Sequence, residues 1–471
     1  MRSRLLASVS AVAGALSLLL GPVGTSLVAS AQSEVATANP NYPITQQMVE
    51  ITPRVLAKWS MPTDPANRSS VAYIMMHPHN SYLDIPPCTQ MAQRGYSILC
   101  VNDRMVSGGG KTDDIIWDDI ALDLKSAVDW LHQQPGVEKV VFIAYSGGGP
   151  IMSYYQTVAE NGVGVCQGSD KFMPCSDALA GLTPADGMVL LESHVGYATT
   201  SGLLTNDPSV IEDNHTGVLG PNAIDASLNA FLPENGYDAK DAQYSQDFLS
   251  RFFAGQTARE DRNVSWAQQE WARIQAGNGG FPDDEPMIIP RNYVQIWTLD
   301  LNLLSQTRGQ YNLITPNGIT HGPIHTVRVA GGVNGDPAKV NFQYGGAGTF
   351  SISVKSFLST YAVKTNGPLM ITQDDIQGID WGSSNTSTPS NLEGVHVPAL
   401  QIAGTGWYWA VPSEIEFNHL ASADKEIIFV EGMEHALDTC KRCEQYAGQY
   451  GDAGAEAFDY IAAWTRSRFP G

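Results

Sequence analysis

The chain has 471 residues and a formal net charge of −21, with 27 lysines and arginines against 48 aspartates and glutamates. That balance excludes nucleic acid and anionic membrane surfaces as partners, because both require clustered cations. Hydrophobic residues make up 43% and charged ones 16%, the composition of a folded globule, and the length exceeds one ordinary core, so a core with a large insertion is expected.

The chain opens with MRSR, runs through an apolar stretch from Leu5 to Leu20 and reaches Ala29-Ser30-Ala31. This is the layout of a secretory signal peptide over residues 1–31, with small residues at the cleavage site. No arginine pair precedes the apolar run and no cysteine follows it, which favours plain secretion over twin-arginine export or lipid anchoring. No later segment offers the roughly 18 consecutive apolar residues of a membrane span. A secreted or periplasmic protein without a membrane span is expected.

In such a compartment six cysteines read as disulfides. Cys166 with Cys175 and Cys440 with Cys443 are the expected pairs. Cys88 and Cys100 bridge a helix to the next strand, or Cys100 is a buried thiol within YSILCV. A single CxxC motif such as CKRC reads as a structural disulfide rather than a zinc site.

In chain order, Val71 to Met76 (VAYIMM) and Tyr96 to Val101 (YSILCV) are short apolar runs bounded by turn signals, the pattern of strands buried on both faces. Between them Ile85 to Arg94 has helical composition and ends at Gly95. Ile116, Ile120, Leu124, Val128 and Leu131 form the stripe of an amphipathic helix that Pro135-Gly136 stops. Val140 to Ala144 is the next strand, Ser146 follows, and Gly149 to Ala159 is a helix. This alternation predicts an α/β fold with a doubly wound, mostly parallel sheet.

Functional groups in such a sheet gather at the carboxyl ends of the strands, where Ser146 lies. A nucleophilic serine on a strained strand-to-helix turn needs small residues two before and two after it; here they are Ala144 and Gly148. The segment DLKSAVDWLHQQPGVEKVVFIAYSGGG resembles the helix, strand and nucleophile elbow of the α/β-hydrolase superfamily. The likeness covers residues 70 to 200 and 395 to 469, and it implies fold and catalytic class but not substrate. It divides the chain into a first core part, 32–196, a cap or lid insertion, 197–394, and a second core part, 395–471.

The resemblance implies further roles. The N–H of Gly147 is the natural first oxyanion donor, at the amino end of a helix. The second is sought in the loop after VAYIMM, which reads His77-Pro78-His79-Asn80; Pro78 has no N–H, which leaves His79 before Asn80. The pair His77 and His79 reads as loop histidines with hydrogen-bonding duties, with no metal implied. The general base expected after the last strand is His435, in KEIIFVEGMEHALD, before a final helix carrying Phe458, Ile461, Ala462 and Thr465 on one face. His194, His321 and His325 read as structural or substrate-contacting.

The usual position of the acid is occupied by Tyr408, with no carboxylate between Gly404 and Val411. A minority arrangement puts the acid one strand after the nucleophile strand, where DGMVLLESHVG supplies Glu192; Glu414 and Glu416 are the alternatives.

In the insertion, Phe248, Leu249, Phe252, Phe253, Trp266, Trp271 and Ile274 suggest helix, while His325 to Val329 and the FSISV run from Phe350 alternate like strands. Trp407, Tyr408 and Trp409, at a strand's carboxyl end, are the candidate substrate wall. The expected function is ester or lactone hydrolysis of a small, apolar or aromatic substrate through Ser146, His435 and Glu192, without cofactor or metal. The alternatives are a peptidase or acyltransferase using the same residues, or a non-catalytic binding module, which the missing acid at Tyr408 would favour. A dehalogenase would need a carboxylate at position 146.

Overall fold

The computed structural model describes residues 40–108, 113–291, 294–330 and 349–470. The expected signal peptide lies outside them.

The hydrophobic runs become strands of one ten-stranded sheet. Its first members are β1 (Ile44–Thr52), β2 (Val55–Pro62), β3 (Val71–His77), β4 (Ser97–Asn102), β5 (Lys139–Tyr145) and β6 (Gly187–Leu191). The insertion contributes β8 (Gln306–Thr315) and β9 (Gly318–His325) to it, and forms two separate two-stranded sheets from β7 (Pro286–Pro290) with β10 (Thr349–Ser353) and β11 (Lys364–Ile371) with β12 (Ile376–Asp380). Then come β13 (Ala399–Gly404) and β14 (Lys425–Val430). The order across the sheet is β1-β2-β4-β3-β5-β6-β13-β14-β8-β9. From β4 to β8 each pairing is parallel; β1, β2 and β9 close the two edges antiparallel. From β1 to β14 this is the strand order of the α/β-hydrolase fold, as expected.

Every residue of β3 is buried, because helices cover both faces of the sheet. On one face Ala72, Ile74 and Met76 share a core with Leu124 and Val128 of α2 (Trp117–His132) and Ile151 and Tyr155 of α3 (Gly148–Asn161). On the other Val71, Tyr73 and Met75 pack with Met91 of α1 (Pro87–Gln93) and with Phe458 and Ile461 of the last helix, Ala453–Arg468. The alternation along a single strand thus builds both layers.

Part of the chain between β6 and β13 forms a third cluster. Its thirty-residue helix α4, Gln246–Gln275, is capped by Ser245 and buries Phe248, Leu249, Phe252 and Phe253 against Trp297, Leu299 and Ile371. Two findings differ from expectation. Strands β8 and β9 join the main sheet, β8 parallel to β14, so this segment of residues 197–394 extends the core. Residues 326–329, read as strand, have no regular structure: β9 ends at His325, and the chain leaves the ladder there as Val327 donates to the carbonyl of Thr405. The expected β10 is present and pairs with β7.

Disulfides join Cys88 to Cys100, Cys166 to Cys175 and Cys440 to Cys443. The first ties α1 to β4, the second closes the loop after α3, and the third leaves the CKRC sulfurs bonded to each other. Among the described residues no helix is long and apolar enough to cross a membrane.

Candidate active site

Ser146 follows β5 with φ of +54°, in the left-handed region that a non-glycine residue rarely adopts. The conformation is held locally: Ser146 N–H donates to the carbonyl of Leu191 at 3.1 Å, and its own carbonyl accepts from Gly149 N–H at 3.0 Å. The following glycines are required by close approach. A Cβ on Gly148 would stand 2.6 Å from the carbonyl oxygen of Met76, and one on Gly149 would overlap Ser193 Oγ. Ala144 fits in the space before the turn, fully buried. The serine oxygen is thereby presented above the carboxyl edge of the sheet.

Three residues from three segments meet there. Ser146 Oγ is 2.9 Å from His435 Nε2, and His435 Nδ1 is 3.3 Å from Glu192 Oε2. Glu192, wholly buried, follows β6 in a left-handed conformation of its own, φ +48°. Its N–H pairs with Ile402 at 2.9 Å and its other carboxylate oxygen accepts the N–H of Gly404, so β13 orients it. His435 is held by the hydroxyl of Tyr145, which donates to its carbonyl at 2.5 Å, and by the Tyr145 ring, 5.3 Å away and nearly parallel.

The two alternative acids are engaged elsewhere. Glu414 accepts from the N–H groups of Arg308 and Gly309 and from the Tyr311 hydroxyl, anchoring β8. Glu416 accepts from Ser193 Oγ and Gln401 Nε2, and burial pushes its carboxyl up to about 8.

The aromatic wall is divided. Trp407 lies nearly parallel to the His435 ring at 5.9 Å, and Trp409 Nε1 donates to His435 Nδ1 at 3.1 Å. Tyr408 instead packs against Trp297 and under Arg328 in the cluster of the insertion. Of the three aromatics expected as a substrate wall, Trp407 and Trp409 thus approach His435, while the Tyr408 ring has apolar and cationic neighbours in the insertion.

The expected second oxyanion donor, the N–H of His79, has an acceptor of its own. The N–H of His79 donates to His77 Nδ1 at 3.0 Å, so it is already engaged, while the His79 ring bonds Asp113. Gly147 keeps its N–H without an acceptor among the described residues, at the amino end of α3.

Two further groups border the serine: His77, read from the sequence only as a hydrogen-bonding loop histidine, and Tyr197, for which the sequence suggested no role. His77 Nε2 and Tyr197 Oη both crowd the position that a Cβ on Gly147 would take. His194, read as structural or substrate-contacting, lies between Tyr197 and Trp409 and accepts Gly196 N–H at Nδ1; burial lowers its pKa to about 3, so it stays neutral. His321 and His325 sit on β9, away from these residues.

Chemically, the arrangement pairs a hydroxyl with an imidazole acceptor and places a carboxylate behind that imidazole, with N–H dipoles beside the hydroxyl. It can deprotonate Ser146 and shelter negative charge next to it.

No family model matches the chain, and neither does any curated protein by sequence. Among solved structures it is similar to DcsB bound to a substrate analogue (13% identity, 91% of this chain and 100% of that one, TM-score 0.42). It is likewise similar to a hypothetical protein from Pseudomonas aeruginosa (15%, 90% and 94%, TM-score 0.39). A third is brefeldin A esterase, a bacterial homologue of human hormone-sensitive lipase (11%, 94% and 86%, TM-score 0.38).

Proposed function

We propose that this protein is a secreted serine hydrolase that cleaves a carboxylic ester or lactone. The observation that carries the reading is the continuous path Ser146 Oγ, His435 Nε2, His435 Nδ1, Glu192 Oε2, with contacts of 2.9 Å and 3.3 Å at its two polar steps. Ser146 Oγ attacks the carbonyl carbon as its proton passes to His435 Nε2, giving a tetrahedral oxyanion beside the N–H of Gly147. Collapse expels the alkoxide, which takes the proton from His435 and leaves an acyl-enzyme on Ser146. Water, deprotonated by the same nitrogen, then attacks the ester, and the acid and free serine are released. Glu192 accepts a hydrogen bond from Nδ1–H and stabilises the imidazolium of each step.

Trp407 and Trp409 line His435, which favours an apolar or aromatic acyl or alcohol group over a sugar or charged peptide. The three disulfides support an oxidising compartment. The reading of a non-catalytic module drew on the lack of an acid at Tyr408, and the Glu192 contact with His435 weighs against it. The test is turnover of a panel of p-nitrophenyl esters and aryl lactones by the purified protein and by Ser146→Ala. Hydrolysis by the parent and none by the variant is the expected result; equal rates in both would reject the reading.

A further inference from the structure

The backbone donor expected first, His79 N–H, is taken by His77 Nδ1. That same bond has a consequence for the ring. An N–H can donate to Nδ1 only if Nδ1 carries its lone pair, and burial, reinforced by the neighbouring rings of His79, His194 and His435, holds His77 well below the usual histidine range and therefore neutral. The single ring proton then sits on Nε2. Nε2 lies 2.8 Å from the Cβ position of Gly147, and Tyr197 Oη lies closer still to that point.

Both side chains are buried, His77 at 5% and Tyr197 at 3% exposure, yet neither Nε2–H nor the hydroxyl has an acceptor among the described residues. Burial raises the Tyr197 hydroxyl well above the ordinary tyrosine value, so it keeps its proton. The ring is fixed by Trp117, His194 and Tyr361 around it. Gly196, at φ +126°, packs closely against the next segment: a Cβ there would overlap the carbonyl of Thr386. Two donors without acceptors among the described residues thus lie against Gly147, one residue from Ser146.

We propose that Tyr197 is a catalytic residue, whose hydroxyl completes the oxyanion hole together with His77 Nε2–H and Gly147 N–H; this rests on the serine-hydrolase reading above. The hole would draw one side chain from the end of β3 and one from the segment after β6. A carbonyl oxygen turning into an oxyanion gains from all three donors, whereas the ground-state carbonyl gains less.

The experiment compares the full-length secreted protein with Tyr197→Phe, His77→Leu and His77→Gln, using a p-nitrophenyl ester and its thionoester counterpart. Sulfur is a weak acceptor, so a variant lacking an oxyanion donor loses rate on the oxygen ester and little on the thionoester, while general damage lowers both alike. Tyr197→Phe is expected to lower kcat on the oxygen ester by about 100-fold with KM little changed, and to narrow the oxygen-to-sulfur rate ratio. His77→Leu should do the same, and His77→Gln, which restores an N–H near the Nε2 position, should recover part of it. An unchanged oxygen-to-sulfur ratio in Tyr197→Phe and in His77→Leu, with an active parent, would overturn the assignment while leaving the hydrolase reading in place. An inactive parent whose Ser146 also resists a fluorophosphonate would overturn both.

Discussion

Glu192 Oε2 stands 3.3 Å from His435 Nδ1, the same nitrogen that Trp409 Nε1–H approaches at 3.1 Å. A neutral ring nitrogen holds either a proton or a lone pair, so the two neighbours favour opposite tautomers. Glu192 favours the proton on Nδ1, which leaves Nε2 able to accept from Ser146; Trp409 favours the reverse. Glu192→Gln removes the charge that decides the contest, and the indole then keeps the ring proton on Nε2, where it blocks the serine. The variant should fold and lose on the order of 10³- to 10⁴-fold in kcat. Glu414→Gln should leave kcat near the parent value, because its partners lie on β8. Steady-state kinetics on one ester checks both.

The elbow has no room for side chains. In Gly148→Ala the added Cβ would meet the Met76 carbonyl at 2.6 Å, and backbone cannot yield as a flexible side chain would. We expect a loss of about 1–3 kcal/mol in unfolding free energy and a displaced Ser146, read as a lower Tm together with reduced turnover. Gly162→Ala, at an open surface position with positive φ, should cost stability but leave turnover per folded molecule unchanged.

The Cys440–Cys443 bridge lies directly after the loop that carries His435. Cys440 N–H donates to Gly432 at 2.8 Å, and Met433 pairs with Thr439 across the same loop. The double variant Cys440→Ser, Cys443→Ser should lower kcat more than it lowers Tm. The double variant Cys166→Ser, Cys175→Ser, in the loop after α3, should lower Tm with kcat preserved. Melting curves and rates on the same samples separate the two effects.

Glu416 supplies a pH dependence. Its folded pKa is raised from 4.5 to about 8 by burial, so the folded state holds a proton that the unfolded chain releases. The stability it contributes is full below about pH 4.5 and declines as pH rises towards 8. The protonated acid has a proton to donate, and Gln401 Oε1, without a partner as placed, becomes its acceptor if the amide is turned. Buried Glu260, also raised to about 8, adds to the same slope. Glu416→Gln should therefore show a smaller fall in Tm between pH 5 and 8.5 than the parent. Parallel Tm curves would contradict this.

Much of the sheet was legible because β3, β4, β5 and β6 are buried on both faces and read as uninterrupted apolar runs. Ser146 and Glu192 were legible for a related reason: each directly follows such a run, and polar residues there face the site. The strand character of β8 was hidden, since its Arg308, Gly309, Gln310 and Asn312 are at most partly buried and its pairing with β14 joins distant segments. The direction of a ring was hidden as well. Nothing in WYW distinguishes Trp409, which reaches His435, from Tyr408, which turns to Trp297. The His79 amide was a reasonable donor by position, and only the conformation of His77 shows it engaged. Tyr197 lies six residues past β6 and touches Gly147 solely through the fold.

The most direct measurement is to treat the purified protein with a fluorophosphonate and locate the adduct by peptide mass spectrometry, with Ser146→Ala and His435→Ala alongside. The account predicts one adduct, on Ser146, absent from the first variant and strongly slowed in the second. A folded protein that remains unlabelled, or one labelled at another serine, would contradict it.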